Sequence, residues 1–461
     1  MKHFDAIIIG SGQAGVPLAK KLAQAGKKTA IIEKGNIGGT CINVGCTPTK
    51  AMVASARAVY QAKKASELGI EITDVKVNLK KIKNRKDEIV ETFRASAQKG
   101  LETTKGLTVF HGEAKFSASK ELTITTSAGK EEKVTADWIF INTGATTVVP
   151  DIEGLSEIDF LTSTTIQDLE EVPEHLVVVG GNYIGLEFGQ MFRRFGSQVT
   201  ILEKSNRIMG REDEDISNEI SEIFKGEEIE ILTNTEIAEI KEEKKNKLIL
   251  NVKSKGKNHK ITCSHVLIAT GRKPQTEKLG LELAGVKTDD KGNIIVSEKL
   301  ETNVKGIFAL GDVKGGPAFT HIAYNDYTIV YRNLIENTNY TISDRPVPYC
   351  MFTDPQLGRI GLSENEAKEK GLNYKVAKMP MSQVARAIET NETLGMMKAV
   401  VDVDTKKILG ASILASEGGE IMSVLEMAIE GGITYDRIRY CVFAHPTYSE
   451  SLNNLFMKIE D

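Results

Sequence analysis

One pattern of strand, glycines, helix and acid occurs twice in this chain, and no other feature constrains the fold as strongly. In the first copy, the apolar stretch 6–9 predicts a strand that leads into Gly10, Gly12 and Gly15 and then into a helix. A second strand follows and ends at Glu33. In such a unit the first glycine makes a tight turn, the second lets a pyrophosphate approach the backbone, and the third lets helix and strand pack closely. Because the acid can accept hydrogen bonds from ribose hydroxyls, this copy predicts a dinucleotide site.

The second copy has the same register as the first. Gly180 and Gly185 follow an apolar strand, and the next strand ends at Glu203. The first glycine and the acid are 23 positions apart in both copies. Asn182 stands where the first copy has its middle glycine, and asparagine tolerates unusual φ angles better than most residues. Two copies in one register predict an α/β chain with two Rossmann-like dinucleotide-binding domains.

The acid of the second copy also bears on the choice of nucleotide. A carboxylate at the end of the second strand favours a free ribose 2′-hydroxyl and repels a 2′-phosphate. Glu203 therefore favours NADH over NADPH. Lys204 and Arg207 follow closely and could weaken this preference, so NADPH stays an alternative.

A pair of cysteines follows the first copy. Cys41 and Cys46 lie five positions apart. Residues at this spacing in a regular helix are roughly 8 Å apart, whereas a disulfide needs Cα atoms within about 7 Å. The pair can therefore close only where the helix is irregular, and Gly45 supplies that backbone freedom. Because a distorted, exposed disulfide is easily reduced, the sequence predicts a redox-active pair.

Composition and charge exclude several classes of function. A chain of 461 residues is long enough for roughly two to four domains. The net charge of −4 is made of interspersed charges, so we expect no nucleic-acid partner. We also expect no signal peptide and no membrane helix, since no apolar run approaches about 18 residues. Five cysteines do not form a disulfide framework in a chain of this length, so we expect a cytoplasmic enzyme.

Later segments supply further candidate residues. Two strands end in small-residue turns at Gly144 and Gly271, as sheet edges do when they return to a nucleotide. Asp312 follows another apolar strand and is a candidate partner for the ribityl hydroxyls of a flavin. A thiolate released from a disulfide must be protonated, and His445 is a suitable acid–base group near neutral pH. Glu450 can fix its tautomer, as in catalytic triads.

These ordered motifs resemble those of the flavin-dependent pyridine nucleotide–disulfide oxidoreductases, which include dihydrolipoamide dehydrogenase, glutathione reductase and mercuric reductase. The resemblance runs over essentially the whole chain. It implies an FAD-binding domain over 1–148 and 271–344, an NAD(P)-binding domain over 149–270, and a C-terminal α+β dimerisation domain over 345–461. It also implies a homodimer in which His445 reaches the active site of the other subunit, with a cis peptide bond before the following proline.

The resemblance assigns roles residue by residue. The expected FAD contacts are Gly10, Gly12, Gly15, Glu33, Thr40, Lys50, Ala114, Gly144, Arg272 and Asp312. The expected contacts of the nicotinamide nucleotide are Gly180, Tyr183, Gly185, Glu187, Glu203 and Gly271. The expected catalytic residues are Cys41, Cys46, His445, Glu450, Lys50 and Glu187, with no resident metal.

Within this set, each side chain has an expected task. Cys46 is the flavin-proximal thiol, and Cys41 is the interchange thiol that meets the acceptor. Lys50 and Glu187 are an ion pair beside the flavin. Tyr183 has two interpretations, as a gate over the nicotinamide site or as a helix residue that packs on the flavin domain.

The sequence leaves the electron acceptor open between a small-molecule disulfide and a metal ion. The runs 47–50, 319–321 and 352–359 are typical of the mercuric-reductase-like branch, and paired thiolates suit soft metal ions such as Hg²⁺ or copper. Residues 454–461 lack the cysteine pair usual in mercuric reductases, which argues against mercury and leaves copper or oxidant stress.

Two alternatives remain beside a metal-ion or oxidant-stress reductase. A dihydrolipoamide dehydrogenase is supported by the histidine–glutamate pair, but the run 316–324 departs from the Ala-His-Lys-Ala pattern usual in those enzymes. A non-catalytic NADH- or redox-sensing flavoprotein is the other, and the complete Cys–Cys–His–Glu set argues against it. We therefore expect a mercuric-reductase-like, FAD-dependent NAD(P)H:disulfide oxidoreductase.

Overall fold

The computed structural model describes residues 1–244, 247–343 and 345–460. The chain divides into two compact units. The first unit comprises Met1–Ala51, Asn84–Val148 and Gly271–Arg345. The second comprises Met52–Lys83, Val149–Thr270 and Pro346–Asp461. Strands and helices alternate through most of the chain, so the α/β class is confirmed, while the three-domain division with its boundaries stays a prediction.

A parallel sheet forms the centre of the first unit. Its strands lie in the order Leu107–Ala118, Thr29–Glu33, Lys2–Ile9, Glu131–Ile141 and Ile307–Ala309. The strand Glu121–Thr126 pairs antiparallel with the first and fourth of these, and Ala145–Thr147 pairs antiparallel with Arg272–Pro274. The central strands are apolar along their length because a parallel sheet is covered on both faces. Since parallel strands end at the same edge, Gly10, Asn142 and Leu310 meet there.

Helices cover this sheet. They are Gly15–Gln24, Gly39–Asn43 and Leu281–Ala284, the long helix Thr320–Ile335, and the turn Gly311–Lys314. Two further helices, Cys46–Lys64 and Leu79–Glu102, continue from one unit into the other. The helix Gly15–Gln24 buries Leu18 and Leu22 on one face, because positions four apart lie above one another. Burying each leucine side chain contributes about 1.5–3 kcal/mol.

A second parallel sheet lies in the second unit. Its strands lie in the order Glu230–Leu232, Gln198–Leu202, His175–Val179, His265–Ile268 and Leu161–Thr162. The helices Tyr183–Phe195 and Glu214–Gly226 belong to it. The antiparallel strands Thr235–Lys244, Lys247–Ser254 and Lys257–Cys263 form a separate sheet. The strand–helix–strand order that the second glycine pattern predicts is therefore present.

The C-terminal part of the second unit is built differently, around an antiparallel sheet. Its strands lie in the order Tyr349–Met351, Gln356–Gly361, Ile408–Ala415, Met396–Asp402 and Tyr374–Pro380. Its helices are Glu364–Glu369, Ala385–Glu389, Gly418–Glu430, Tyr435–Arg439 and Ser451–Met457. One short turn, Met381–Gln383, lies here, and three others occur at Ala65–Leu68, Leu155–Glu157 and Thr165–Asp168. This is the α+β arrangement expected of the C-terminal region.

Membrane-spanning segments were also sought in the helices. Within residues 1–244, 247–343 and 345–460, no helix combines the length and the apolar character needed to cross a bilayer.

Candidate functional site

In the first glycine pattern, the backbone segments approach so closely that only glycine fits. A Cβ atom at Gly15 would lie 2.1 Å from the carbonyl oxygen of Gly10, so no other residue fits where the helix starts. Gly10 itself has a φ of 100°, a conformation that glycine adopts without steric cost. The helix Gly15–Gln24 that follows has no side-chain cap and no acid in its first turn. Its first N–H groups and the positive end of its dipole suit a phosphate.

Glu33 is fixed at the end of its strand by the loops on either side. Its Oε2 accepts hydrogen bonds from the N–H of Ser11 at 2.9 Å and from the Ser11 hydroxyl at 2.7 Å. Its Oε1 accepts from the N–H of Gly35 at 2.8 Å. The carboxylate is therefore oriented beside the glycine turn by groups of the chain itself.

Glu203 repeats this arrangement in the second unit. Its Oε2 accepts a hydrogen bond from the N–H of Gly181 at 2.7 Å, and its Oε1 accepts from the N–H of Ser205 at 2.7 Å. Each acid thus accepts hydrogen bonds from the N–H of the residue 22 positions before it and from the N–H of the residue 2 positions after it. The equal spacing in sequence corresponds to equal hydrogen bonding in the structure.

Asn142 joins the strand ends of the first unit, and sequence reasoning missed it. The residue is 6% exposed. Its Oδ1 accepts a hydrogen bond from the N–H of Gly15 at 2.9 Å, and its Nδ2 donates to the carbonyl of Leu310 at 2.9 Å. Its own N–H donates to the carbonyl of Ile9 at 2.8 Å. The available signal was a polar residue directly after the apolar strand 138–141, at the edge where a ligand binds.

Asp312 and Arg272 lie together at the same edge. The Asp312 carboxylate is 3.8 Å from an Arg272 guanidinium nitrogen. Burial raises the pKa of Asp312, and the positive charges of Arg272 and Lys314 oppose that rise. Arg272 donates from Nη2 to the carbonyl of Ala145 at 2.6 Å. Its Nε is buried and has no hydrogen-bond partner within the described part of the chain.

A buried aspartate, also missed from sequence, holds the turn that carries Asp312. Asp326 is fully buried and accepts a hydrogen bond from the N–H of Gly311 at 2.8 Å. It forms ion pairs with Lys314 at 3.4 Å and with Arg345 at 2.6 Å. Because a buried charge needs such partners, this set fixes the turn Gly311–Lys314.

The first unit therefore fits a flavin dinucleotide. It has an uncapped helix start for the pyrophosphate and a half-buried carboxyl at Asp312, and at Arg272 it has a buried Nε that finds no hydrogen-bond partner among the described residues. Thr40 is half-buried in the helix Gly39–Asn43, and Gly144 has open space around it and a φ of 69°. Ala114 is buried in the apolar core, so its contact with FAD stays a prediction.

The cysteines lie where one helix ends and the next begins. The helix Gly39–Asn43 stops, Val44 has a φ of −145°, and the helix Cys46–Lys64 starts. The predicted irregularity is therefore present. Gly45 is needed for close approach, because a Cβ atom there would lie 2.8 Å from the carbonyl oxygen of Thr40.

Cys41 and Cys46 are two thiols rather than a disulfide, and they are in contact. Cys46 is exposed and Cys41 is half-buried. The pKa of the Cys41 thiol is raised, first by its hydrogen bond with Cys46 and then by burial. The Thr320 hydroxyl lies 3.3 Å from Cys46 Sγ, and it lowers the pKa of Cys41. Thr320 is the first residue of a 16-residue helix, whose N-terminus favours a thiolate.

The second glycine pattern departs from its expected backbone at one position. Asn182 has a φ of −103°, which is ordinary extended backbone, so the explanation from unusual φ angles is wrong. Its side chain instead accepts a hydrogen bond from the N–H of Tyr183 at 3.0 Å and caps the helix Tyr183–Phe195. A Cβ atom at Gly185 would lie 2.0 Å from the carbonyl oxygen of Gly180.

The two cations beside Glu203 are both engaged elsewhere. Lys204 forms an ion pair with Glu236 at 2.6 Å. Arg207 donates from Nη2 to the carbonyls of Gly210 at 3.1 Å and Glu212 at 3.2 Å. Neither side chain is therefore held ready for a 2′-phosphate.

The other nucleotide residues predicted from sequence have mixed outcomes. Tyr183 is half-buried and packs against the apolar core of its own unit. Glu187 is buried, and its Oε1 accepts a hydrogen bond from the N–H of Phe352 at 2.8 Å. Gly271 has a φ of 126° and belongs to the first unit. The ion pair of Lys50 with Glu187 stays a prediction, because the two residues belong to different units.

The histidine–glutamate pair is formed as expected. His445 Nδ1 lies 2.9 Å and 3.1 Å from the two carboxylate oxygens of Glu450. This contact orients the imidazole and leaves Nε2 for another group. The peptide bond between His445 and Pro446 is cis, in agreement with the resemblance. Nearby side chains are strongly exposed, with Val442 at 94% and Tyr440 at 73%.

A cavity of about 370 Å³ lies in the first unit. Ile42, the residue after Cys41 in sequence, forms part of its wall. The helix Gly15–Gln24 contributes Lys20 and Lys21, and the helix Thr320–Ile335 contributes Tyr324. The wall of the cavity therefore includes both apolar and positively charged side chains.

Comparison with known proteins identifies the family. Residues 4–326 match the family described as pyridine nucleotide-disulphide oxidoreductase, and residues 347–456 match its dimerisation domain. The chain belongs to this family. It is therefore an oxidoreductase that uses FAD and NAD(P)H, and the predictions of family, enzyme class and cofactors are confirmed. A dimerisation domain supports the predicted homodimer.

Individual members of the family resemble the chain over almost its whole length. RclA of Escherichia coli strain K12 is 37% identical over 100% of both chains. The mercuric reductase of Staphylococcus aureus is 34% identical over 97% of this chain and 81% of that protein. A solved structure described as the Cu(II) complex of HOCl-induced flavoprotein disulfide reductase RclA from E. coli is 36% identical, covers 100% of both chains and has a TM-score of 0.92. The mercuric-reductase-like, oxidant-stress interpretation agrees with these relatives.

Proposed function

We propose that this chain is an NADH-dependent flavoenzyme that reduces a soft metal ion, copper above all, through Cys41 and Cys46. The contact between the two thiols at a helix start carries the proposal. FAD, when bound at the first glycine pattern, supplies two-electron transfer between the nicotinamide and the thiol pair. The preference for NADH rests on Glu203 and on the engagement of Lys204 and Arg207 with other groups.

The thiols have separate tasks in this proposal. Cys46 would be the thiol on the side of bound FAD, and Cys41 would be the thiol that meets the acceptor. When the acceptor is a disulfide, a Cys41 thiolate forms a bond to one sulfur and the old S–S bond breaks. The released thiolate then takes a proton from His445 Nε2, while Glu450 stabilises the imidazolium.

Copper is the metal that the observations favour. Paired cysteine thiolates suit soft ions such as Cu(I) and Hg²⁺. The 37% identical relative RclA has been solved as a Cu(II) complex. No group of three or more His, Cys, Asp or Glu side chains suited to a metal occurs among the residues described, and in this proposal copper is the substrate of the thiol pair. In reduction, two Cu(II) ions take one electron each as the dithiol becomes a disulfide and releases two protons.

A small anionic disulfide is the second candidate acceptor, and the cavity favours it. Ile42, the residue after Cys41 in sequence, lines the cavity, and Lys20 and Lys21 supply positive charge. A cavity of about 370 Å³ is within the size range of small-molecule sites. An uncharged disulfide such as lipoamide would gain nothing from the two lysines.

The test is anaerobic NADH oxidation by the purified flavoprotein, with Cu²⁺, Hg²⁺, glutathione disulfide and lipoamide offered in parallel. Turnover with Cu²⁺ that Cys41→Ser removes and Cys350→Ser retains supports the proposal. Cys350 is a matched control because it is a half-buried thiol outside the pair. Turnover with lipoamide alone would identify a dihydrolipoamide dehydrogenase and refute the copper reaction. Turnover with glutathione disulfide that Lys20→Gln weakens would favour the second candidate.

We also propose that the active site is shared between two subunits. The segment around His445 is exposed and carries the apolar side chains Tyr440 and Val442, which suit an interface. In a mixed dimer of Cys46→Ser and His445→Ala subunits, one of the two sites has both wild-type residues if the site is shared. Regained disulfide reductase activity in the mixed dimer supports sharing, and its absence contradicts it.

The predicted cytoplasmic location stays a prediction.

A further inference from the structure

The loop after Glu203 continues along the nucleotide site before it reaches the C-terminal sheet. We call residues 203–213 the ribose loop, because Glu203 begins it. Met209 donates its N–H to the carbonyl of Gly181 at 2.9 Å, which ties the loop to the glycine turn. Arg207 donates to the carbonyl of Glu212, so the end of the loop is also fixed to its beginning. The position of the far end therefore affects the residues that face the nucleotide.

Glu212 anchors that far end in a buried environment. Its side chain is 2% exposed. The Tyr349 hydroxyl donates a hydrogen bond to its Oε1, and Arg359 Nε lies 3.3 Å from its Oε2. Oε2 is buried and has no hydrogen bond to any described residue. Oε2 therefore has an ion-pair contact with Arg359 but no well-formed hydrogen bond, which disfavours the charged carboxylate in this buried site.

The residue after Glu212 fixes the loop to the same C-terminal region. Asp213 accepts hydrogen bonds from the N–H groups of Glu364 at 2.9 Å and Asn365 at 3.1 Å. It also forms an ion pair with the buried Lys398 at 2.9 Å. The contacts of Asp213 therefore fix the loop in both charge states of Glu212. The contact between Glu212 and Arg359 changes with the charge of Glu212.

The charge state of Glu212 is set by groups on every side. Burial raises its pKa to about 7, and the negative charges of Asp213 and Glu366 raise it as well. Arg359 opposes this rise. The Tyr349 hydroxyl faces the same carboxylate and stabilises its charged form. The group therefore changes charge near neutral pH, unlike an ordinary glutamate.

We propose that Glu212 is a positioning residue for the nicotinamide nucleotide, whose affinity depends on whether Glu212 carries its negative charge. The neutral form suits the buried site, in which the Tyr349 hydroxyl contacts one of its oxygens, and keeps the ribose loop in place. The charged form is disfavoured by burial, which Arg359 offsets only in part, so the loop is then held less firmly. This inference rests on the proposed function, because it takes Glu203 as the acid that binds the nucleotide ribose.

Isothermal titration of the holoenzyme with NAD⁺ tests the inference without turnover. If only the neutral form of Glu212 supports binding, the neutral fraction falls from about nine-tenths at pH 6 to about one-tenth at pH 8, and affinity falls about tenfold. Glu212→Gln is neutral at every pH, so it is expected to bind with the high affinity of the acidic form throughout. A structural defect alone would not remove the pH dependence.

Two further variants are expected to shift the midpoint of the curve of NAD⁺ affinity against pH, in opposite directions. Glu366→Gln removes one negative charge near Glu212, so the midpoint is expected at lower pH with the tenfold range retained. Tyr349→Phe removes the donor to Glu212, so the midpoint is expected at higher pH.

Two results would count against the inference, and they are distinguishable. Equal affinity of the wild type at both pH values would overturn the inference alone. No binding of NAD⁺ at any pH would overturn the proposed nucleotide site as well.

Discussion

The variant Glu212→Gln is expected to stabilise the folded chain at alkaline pH and to bind the nucleotide there more tightly than the wild type does. Glutamine keeps the shape of the protonated glutamate and removes a charge from a site that is 2% exposed. A buried charge is costly because it loses its hydration, even when an arginine is near. The same substitution thus favours both the fold and the attachment of the ribose loop.

The sign and size follow from the raised pKa. The pKa of Glu212 is about 7 in the folded chain, and the ordinary value is 4.5. Between these pH values the folded state binds more protons than the unfolded state, so stability falls as pH rises from the lower to the higher value. A difference of this size corresponds to about 3 kcal/mol of lost unfolding free energy above pH 7. Glutamine does not carry this electrostatic penalty, so the variant should gain about this amount at pH 8 and nothing near pH 4.

Urea unfolding of the holoenzyme, followed by circular dichroism at several pH values, measures this effect. The expected result is a difference between variant and wild type that grows with pH and levels off above about pH 7. Glu222→Gln is the control, because that side chain is 71% exposed and should change the unfolding free energy little at any pH. A Glu212→Gln variant that is less stable than the wild type at pH 8 would refute the reasoning, since Glu212 would then be stabilised by its charge.

Three further outcomes are expected. Cys46→Ser should abolish turnover with every acceptor and retain bound FAD, measured by flavin absorbance; retained turnover would exclude the proposed electron path. His445→Ala should lower the rate of disulfide reduction by about two orders of magnitude, and an unchanged rate would leave the histidine a structural role. Asn142→Ala leaves two buried backbone groups without partners, which costs about 2–5 kcal/mol. Its flavin should be released at lower urea than in Thr143→Val, which removes a single side-chain hydrogen bond.

The sequence predicted the parts of the site that local patterns encode. A glycine turn and the acid that ends the next strand lie within one βαβ unit, so their spacing alone predicts where Glu33 and Glu203 lie. The structure shows both acids bonded to the backbone N–H groups on either side. The irregular helix start at the cysteines was predictable for the same reason, because i to i+5 spacing is a local constraint.

Contacts between distant segments were not predictable in this way. Asn142 binds Gly15 across 127 positions and Leu310 across 168 positions. An asparagine after an apolar strand looks like an ordinary turn residue until the strand order brings the three ends together. Asp326 was missed for a similar reason, because a polar residue in a helix is usually exposed, whereas this one is fully buried beneath the Gly311–Lys314 turn.

The two nucleotide patterns show how far a repeated sequence predicts repeated behaviour. Both acids receive the same backbone hydrogen bonds, but the chain after them takes different partners. Lys34, the residue after Glu33, pairs with Glu113 on the neighbouring strand of its own sheet. The loop after Glu203 instead ends at Glu212, which meets Tyr349 and Arg359 of the C-terminal sheet. That sheet lies within residues 347–456, which match the dimerisation domain, so the segments after the two acids differ in which part of the chain they contact.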